Sequence, residues 1–208
     1  MNKVDFKRER KHLYQPSGKE FVRVDVPDMQ FLQVDGHGDP NTAQSYAEAV
    51  ETLYAVAYKL KFLSKEQLER DYGVLPLEGL WWAEDMDSFT ASLDKSQWDW
   101  TMMIMQPEWI TGEMVAEVTA VLQKQKSLPA LPLLRLETYH EGLSVQIMHT
   151  GSYADEAPTL HRLHHEFMPG HNLTFNGKHH EIYLSDPRRV APEKLKTVLR
   201  QPVRVVGN

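Results

Sequence analysis

At 208 residues, with 41% hydrophobic and 25% charged positions, the chain is long enough to bury a core without staples. A formal net charge of −6 argues against a general phosphate-binding surface, and the absence of cysteine excludes disulfides, thiolate nucleophiles and thiolate metal sites. No apolar run approaches the ~20 residues that span a bilayer and no secretory apolar region opens the chain, so the expectation is a cytoplasmic protein with neither membrane nor nucleic acid as partner.

The basic opening, MNKVDFKRERKH, reads as a frayed, solvated arm over residues 1–18. FVRVDVP (21–27) and FLQVDGHGDP (31–40) are extended runs. A helix follows from Asn41 or Thr42, with Tyr46, Val50, Leu53, Ala57 and Leu60 on one face, and SKEQLERDYG continues it as a short helical turn to Gly73. VLPLEGLWWAED (74–85) and SQWDWTMMIMQP (96–107) are extended, the second placing Trp98, Trp100, Met102 and Ile104 on one face. Residues 112–125 form a second helix around Met114, Val118, Val121 and Leu122, and SLPALP is a proline-marked link.

After the link the pattern restarts. LLRLETY (133–139) and LSVQIMHTG (143–151) read as strands joined by a tight HEG turn. A helix lies within 152–170, with Asp155, Glu156 and Pro158 suiting its N-terminal turn. LTFNGKHHEIYLSD (173–186) is extended, and LRQPVRVV (199–206) is a last strand. Each half thus reads strand–strand–helix–strand–strand, which makes one domain over 1–208 from two pseudo-repeats, about 20–110 and 130–208. The implied fold is α+β: an antiparallel sheet with helices on one face. The other face is left uncovered, and the functional groove is expected there.

Trp81, Trp82, Trp98 and Trp100 fall on two adjacent runs, which suggests an aromatic-walled cleft; period two forbids Trp81 and Trp82 from facing the same way. Glu181 and Tyr183, two apart, share a strand face, and Glu78 is the counterpart of Glu181 in the first half. Desolvation among aromatics would raise a carboxyl pKa, fitting it for acid–base work or for a cationic ligand. An exposed or arginine-paired carboxylate is the plainer alternative.

Six histidines crowd residues 161–180, and His161 and His165 have a metal-compatible spacing. No His-Glu-x-x-His motif accompanies them, so a solvated helix and a polar strand flank are expected, with no metal and no cofactor. GHGDP lacks a phosphate-loop lysine, and Ser152 in TGSYAD sits in no nucleophile elbow.

MHTGSYADEAPTLHRL resembles the strand-to-helix signature of GyrI-like small-molecule-binding proteins, and HHEIYLSDPRRVAPEKLKTVLRQPV resembles that family's C-terminal end. PLEGLWW and WDWTMMIMQP resemble its first half, so the likeness covers nearly the whole chain. It implies duplicated strand–helix–strand–strand modules with a ligand groove between them, on the face away from the helices, and a strand glutamate, here Glu181, receiving cationic drugs.

No helix-turn-helix precedes the domain, which is similar to stand-alone members. One stand-alone subfamily hydrolyses cyclopropanoid DNA-alkylating compounds, and the tryptophans with Glu181 and Tyr183 make this chain look like it. In such a reaction Glu181 would orient water, and Tyr183 or Tyr139 would donate to the substrate oxygen; the resemblance does not fix a second carboxylate, for which Glu78 is the choice, with Glu156 behind it. Trp81, Trp82, Trp98, Trp100, Tyr139 and Tyr153 would wall the ligand, a planar aromatic or cationic small molecule. A binding or sensing module without chemistry is the alternative. A gyrase-modulating protein is a third, with no protein partner identified.

Overall fold

The alternating runs become nine strands, all paired antiparallel, in the computed structural model, which describes residues 3–83 and 95–207. They are β1 (Val22–Val26), β2 (Met29–His37), β3 (Leu77–Trp82), β4 (Asp99–Gln106), β5 (Arg135–Tyr139), β6 (Gly142–Thr150), β7 (Leu173–Phe175), β8 (His179–Tyr183) and β9 (Lys196–Val205). The run expected over 173–186 is thus two strands, and residues 84–85 of the third run lie outside the described residues. The order is β1-β6-β9-β8-β3-β4-β2-β5, with β7 also on β9. As expected, the fold is α+β; the two halves meet at the β3–β8 pair.

The HEG segment is not a hairpin turn. β5 pairs with β2 and β6 with β1, so each half lends its first strand to the other. The pairing of Val22 to Val26 with Gln146 to Gly142 runs on in unbroken register to that of Met29 to Gln33 with Tyr139 to Arg135. The two segments form one long antiparallel ribbon whose waist is residues 27–28 beside 140–141. His140 Nδ1 and Asp28 Oδ2 meet across it at 2.8 Å.

Helix α1 (Phe6–Glu9) and helix α2 (Lys11–Tyr14) correct the reading of the opening as a solvated arm. Leu13 and Tyr14 are each 1% exposed. Apolar residues spaced among the arm's cations are enough to dock it. Helix α3 runs from Gln44 to Gln67 without a break and buries Leu53, Val56 and Leu60; helix α4 (Gly112–Gln125) packs beside it. Thr111 caps α4 by accepting from the Met114 amide, as the cap rule favours, while Val121, expected on the apolar side, is exposed.

In the second half a 3₁₀ turn (Tyr153–Glu156) leads into helix α5 (Ala157–Arg162), a π-helical turn (Leu163–Phe167) and helix α6 (Met168–Gly170). No described helix is long and apolar enough to cross a membrane.

Candidate functional site

Register decides which side chains can meet. Gly79 opposes Glu181, Leu77 opposes Tyr183, and Trp81 opposes both His179 and Trp100, so these residues share one sheet face. Tyr46 of α3 stacks on Trp81, with ring centroids 6.1 Å apart, and meets Trp100 edge-on at 5.3 Å. From the other half, Tyr153 meets Tyr183 edge-on at 5.7 Å. α3 and the 3₁₀ turn before α5 therefore cover this face, while α2 lies against the other, where the Tyr14 hydroxyl meets Glu78. Neither face is free of helix, against the expectation of one open face; Glu181, Tyr183 and Trp81 lie on the face that α3 and the 3₁₀ turn before α5 pack against.

Gly79 makes the arrangement possible. A β-carbon there would sit 2.6 Å from Trp81 Nε1, so only a bare backbone lets the indole lie across β3. Trp81 Nε1 then donates to the Tyr183 hydroxyl at 2.9 Å, and that hydroxyl donates to Glu181 Oε2 at 2.7 Å. His179 Nε2 lies 3.2 Å from Glu181 Oε1. Trp98 meets Trp81 edge-on at 5.8 Å. Glu181 keeps 12% of its side chain exposed.

The carboxyl that stays protonated is not the expected one. Burial pushes Glu181 up, but the contacts from His179 and Tyr183 outweigh it, and its pKa falls below the ordinary value. Glu156, 5% exposed, moves the other way: burial and then the neighbouring Glu181 charge hold it well above the carboxylate range. Its Oε1 has no hydrogen-bond partner. One ionised and one neutral carboxyl thus neighbour each other. Burial and the Glu181 charge also raise Tyr183, which stays a hydrogen-bond donor.

The remaining expected residues lie elsewhere. Glu78, Tyr139 and Trp82 belong to the opposite face, because each alternates with the site positions or sits on the exchanged ribbon. Trp82 packs under the Lys178 ammonium, 3.3 Å from the ring centroid. Tyr139 lies edge-on to His180. Glu78 accepts from the Tyr14 hydroxyl at 3.3 Å and meets His180 Nε2 at 2.8 Å.

That second cluster is a closed network. His180 Nδ1 is 2.8 Å from Glu141 Oε1, and Arg200 donates to Glu141 Oε2, Gln146 Oε1 and the Leu13 carbonyl. Two carboxylates on one imidazole require both nitrogens to donate, so His180 is an imidazolium. Burial lowers its pKa, yet Glu141 and Glu78 lift it to about 9. Two carboxylates balance two cations, which is what makes such burial tolerable.

His179 and His180, read from sequence as polar strand flank, are both fully buried. His164 is also buried, edge-on to Phe175, and burial drives its pKa down to about 3. Glu141 was missed altogether because it lay in what read as a turn. Nothing in the residues marked Arg200, which shares its strand with Lys196, Gln201 and Arg204, as the buried partner of Glu141.

The model of the GyrI-like small molecule binding domain matches residues 20–204. The chain belongs to the GyrI-like family. Its fold also matches a crystal structure of an uncharacterized conserved protein from Listeria innocua, 42% identical over 97% of this chain and all of that one, with a TM-score of 0.86. A second Listeria innocua structure, described as a hydrolase, is 40% identical over 98% of this chain and all of that one, with a TM-score of 0.85. The C-terminal domain of EcmrR, at 9% identity and a TM-score of 0.56, shares the GyrI-like fold alone. No curated protein matches the sequence.

Proposed function

We propose that this GyrI-like protein is a stand-alone xenobiotic-binding protein that hydrolyses planar cyclopropanoid DNA-alkylating compounds at Glu181. The observation that carries the reading is Glu181, held by the Tyr183 hydroxyl at 2.7 Å and flanked by Trp81 and Tyr183, which pack against Tyr46 and Tyr153, with Glu156 as a second buried carboxyl whose pKa the Glu181 charge helps to raise. Glu181 accepts the proton of a water whose oxygen bonds to the cyclopropane methylene carbon. The ring carbon–carbon bond breaks, and its electron pair moves through the conjugated system to the carbonyl oxygen. Glu156 delivers a proton to that oxygen, and a proton passed between the carboxyls restores the pair. Tyr183, whose proton is committed to Glu181, positions the carboxylate instead of meeting substrate. Trp81, Tyr46 and Tyr153 supply faces and edges for a planar ligand. The 40% identity to a protein described as a hydrolase supports the same reading.

Incubating the purified protein with a cyclopropanoid alkylator and following ring opening by chromatography tests it. Turnover that disappears in Glu181→Gln is expected; turnover equal to the parent's in that variant would falsify the assignment. The second reading is sequestration without chemistry, favoured by the lowered pKa of Glu181, which suits the counter-ion of a cationic drug. Saturable tryptophan quenching by a cationic aromatic, with no product from any cyclopropanoid, would decide for it.

A further inference from the structure

A cleft of about 550 Å³ opens away from Glu181, between the N-terminal arm and α3. Its arm wall is Lys3, Val4, Asp5, Phe6 and Lys7, and its helix wall is Tyr58, Lys61 and Phe62. Val74 and Leu75 close the floor. The volume falls in the range of roughly 300–1,000 Å³ typical of small-molecule sites.

The arm wall is anchored. The Val4 amide donates to the Asp71 carbonyl at 2.9 Å, and the Gly73 amide donates to the Val4 carbonyl at 3.1 Å. The helix wall displays apolar surface that folding leaves in water: Tyr58 is 52% and Phe62 57% exposed. The Lys61 ammonium lies 4.4 Å from the Phe62 ring centroid and pairs with Asp71 at 3.2 Å.

Charge sets the class of ligand. Lys3, Lys7 and Lys61 line the cleft, and with Lys65 they outnumber the two carboxylates beside them, Asp5 and Asp71, on a protein whose net charge is −6. Asp5 is engaged with the amide of Arg8 at the start of α1. Among the described residues Lys3 and Lys7 form no salt bridge. We infer that this cleft is a second ligand site, selective for small aromatic anions, and opposite in charge preference to the site at Glu181. The aromatic part would lie against Tyr58 and Phe62, and the anionic group would face Lys3 and Lys7. The inference does not depend on what happens at Glu181.

Equilibrium fluorescence titration at low salt with 8-anilinonaphthalene-1-sulfonate tests it, with neutral N-phenyl-1-naphthylamine as the matched uncharged probe. The sulfonate is expected to bind saturably to the full chain and more tightly than the neutral probe. Lys7→Glu and Phe62→Ala should each weaken sulfonate binding roughly five- to tenfold, the scale of one cation–π or charge contact. Glu181→Gln should leave it unchanged. Thermal melts of each variant confirm that the folded protein is being titrated; both substituted side chains are at the surface. Equal binding of the two probes, wild-type affinity in both cleft variants, or loss of binding in Glu181→Gln would each overturn the inference.

Discussion

Tyr183 and Trp81 are joined across the seam between the two halves, indole nitrogen to phenol oxygen at 2.9 Å, and the phenol in turn donates its hydrogen bond to Glu181. The orientation of the site's carboxylate therefore rests on a contact that neither half makes alone. In Tyr183→Phe the donor is lost and Glu181 becomes easier to protonate. A hydrogen bond to a charged group contributes about 1.5–3 kcal/mol, so binding of a cationic aromatic should fall roughly tenfold or more near neutrality. The acidic limb of its pH dependence should move to higher pH. An acidic limb that stays in place would show that Tyr183 does not tune Glu181.

Glu156→Gln separates binding from chemistry. The native carboxyl is held neutral, so an amide of the same shape should alter stability by less than about 1 kcal/mol. Affinity for a cationic aromatic should persist. Ring opening should slow on the order of a hundredfold or more, the usual worth of a general acid. Measured side by side with Glu181→Gln, which should lose both, the pair of variants assigns each carboxyl its role.

Gly79→Ala is a test of the indole's seat. The added methyl would meet Trp81 Nε1 at 2.6 Å, so the ring must move off Tyr183. Overpacking of this kind costs about 1–3 kcal/mol. A lowered melting temperature with weakened ligand quenching is expected, and quenching indistinguishable from wild type would mean that Trp81 is not a wall of the site.

On the far face, Glu141→Gln should destabilise the fold by about 3–5 kcal/mol, because His180 and Arg200 are left buried with too little anion. The pH dependence has a definite sign. His180 is raised to about 9, so its contribution is complete below the ordinary histidine range and is lost as pH climbs through 9. For Glu141, burial acts upward but His180 and Arg200 bring the net pKa down, so its contribution is present above the ordinary carboxylate range and fades on acidification. Denaturant titrations from about pH 2 to 10 should show both flanks in the wild type, and a flatter alkaline flank in His180→Leu.

Much of this was legible in the residues. Strand periodicity placed Glu181 and Tyr183 on one face and separated Trp81 from Trp82, as the register bears out. Alternation also sets Glu78 on the face away from Trp81, and the register pairs it with Ile182 and not with Glu181. Pairing partners were not legible, because alternation specifies which face a residue takes and not which strand lies next to it. A two-residue link after β5 looked like a hairpin, and only the waist of the ribbon reveals why Glu141 is buried. The histidines failed for a related reason. A polar residue in a strand counts as solvated until its partners, from Tyr14 to Arg200, are known to converge on it.

The exchange of β1 and β5 also bears on how the chain is made. When the first half has left the ribosome, β2 has β4 on one side and nothing on the other until residues 135–139 follow. β1 waits still longer, for residues 142–146. The nascent chain thus carries an unpaired sheet edge through the synthesis of residues 107–134, a state open to pairing with a second chain. Two copies arrested there could trade ribbons, each completing the other's sheet, and dimerise without a new contact.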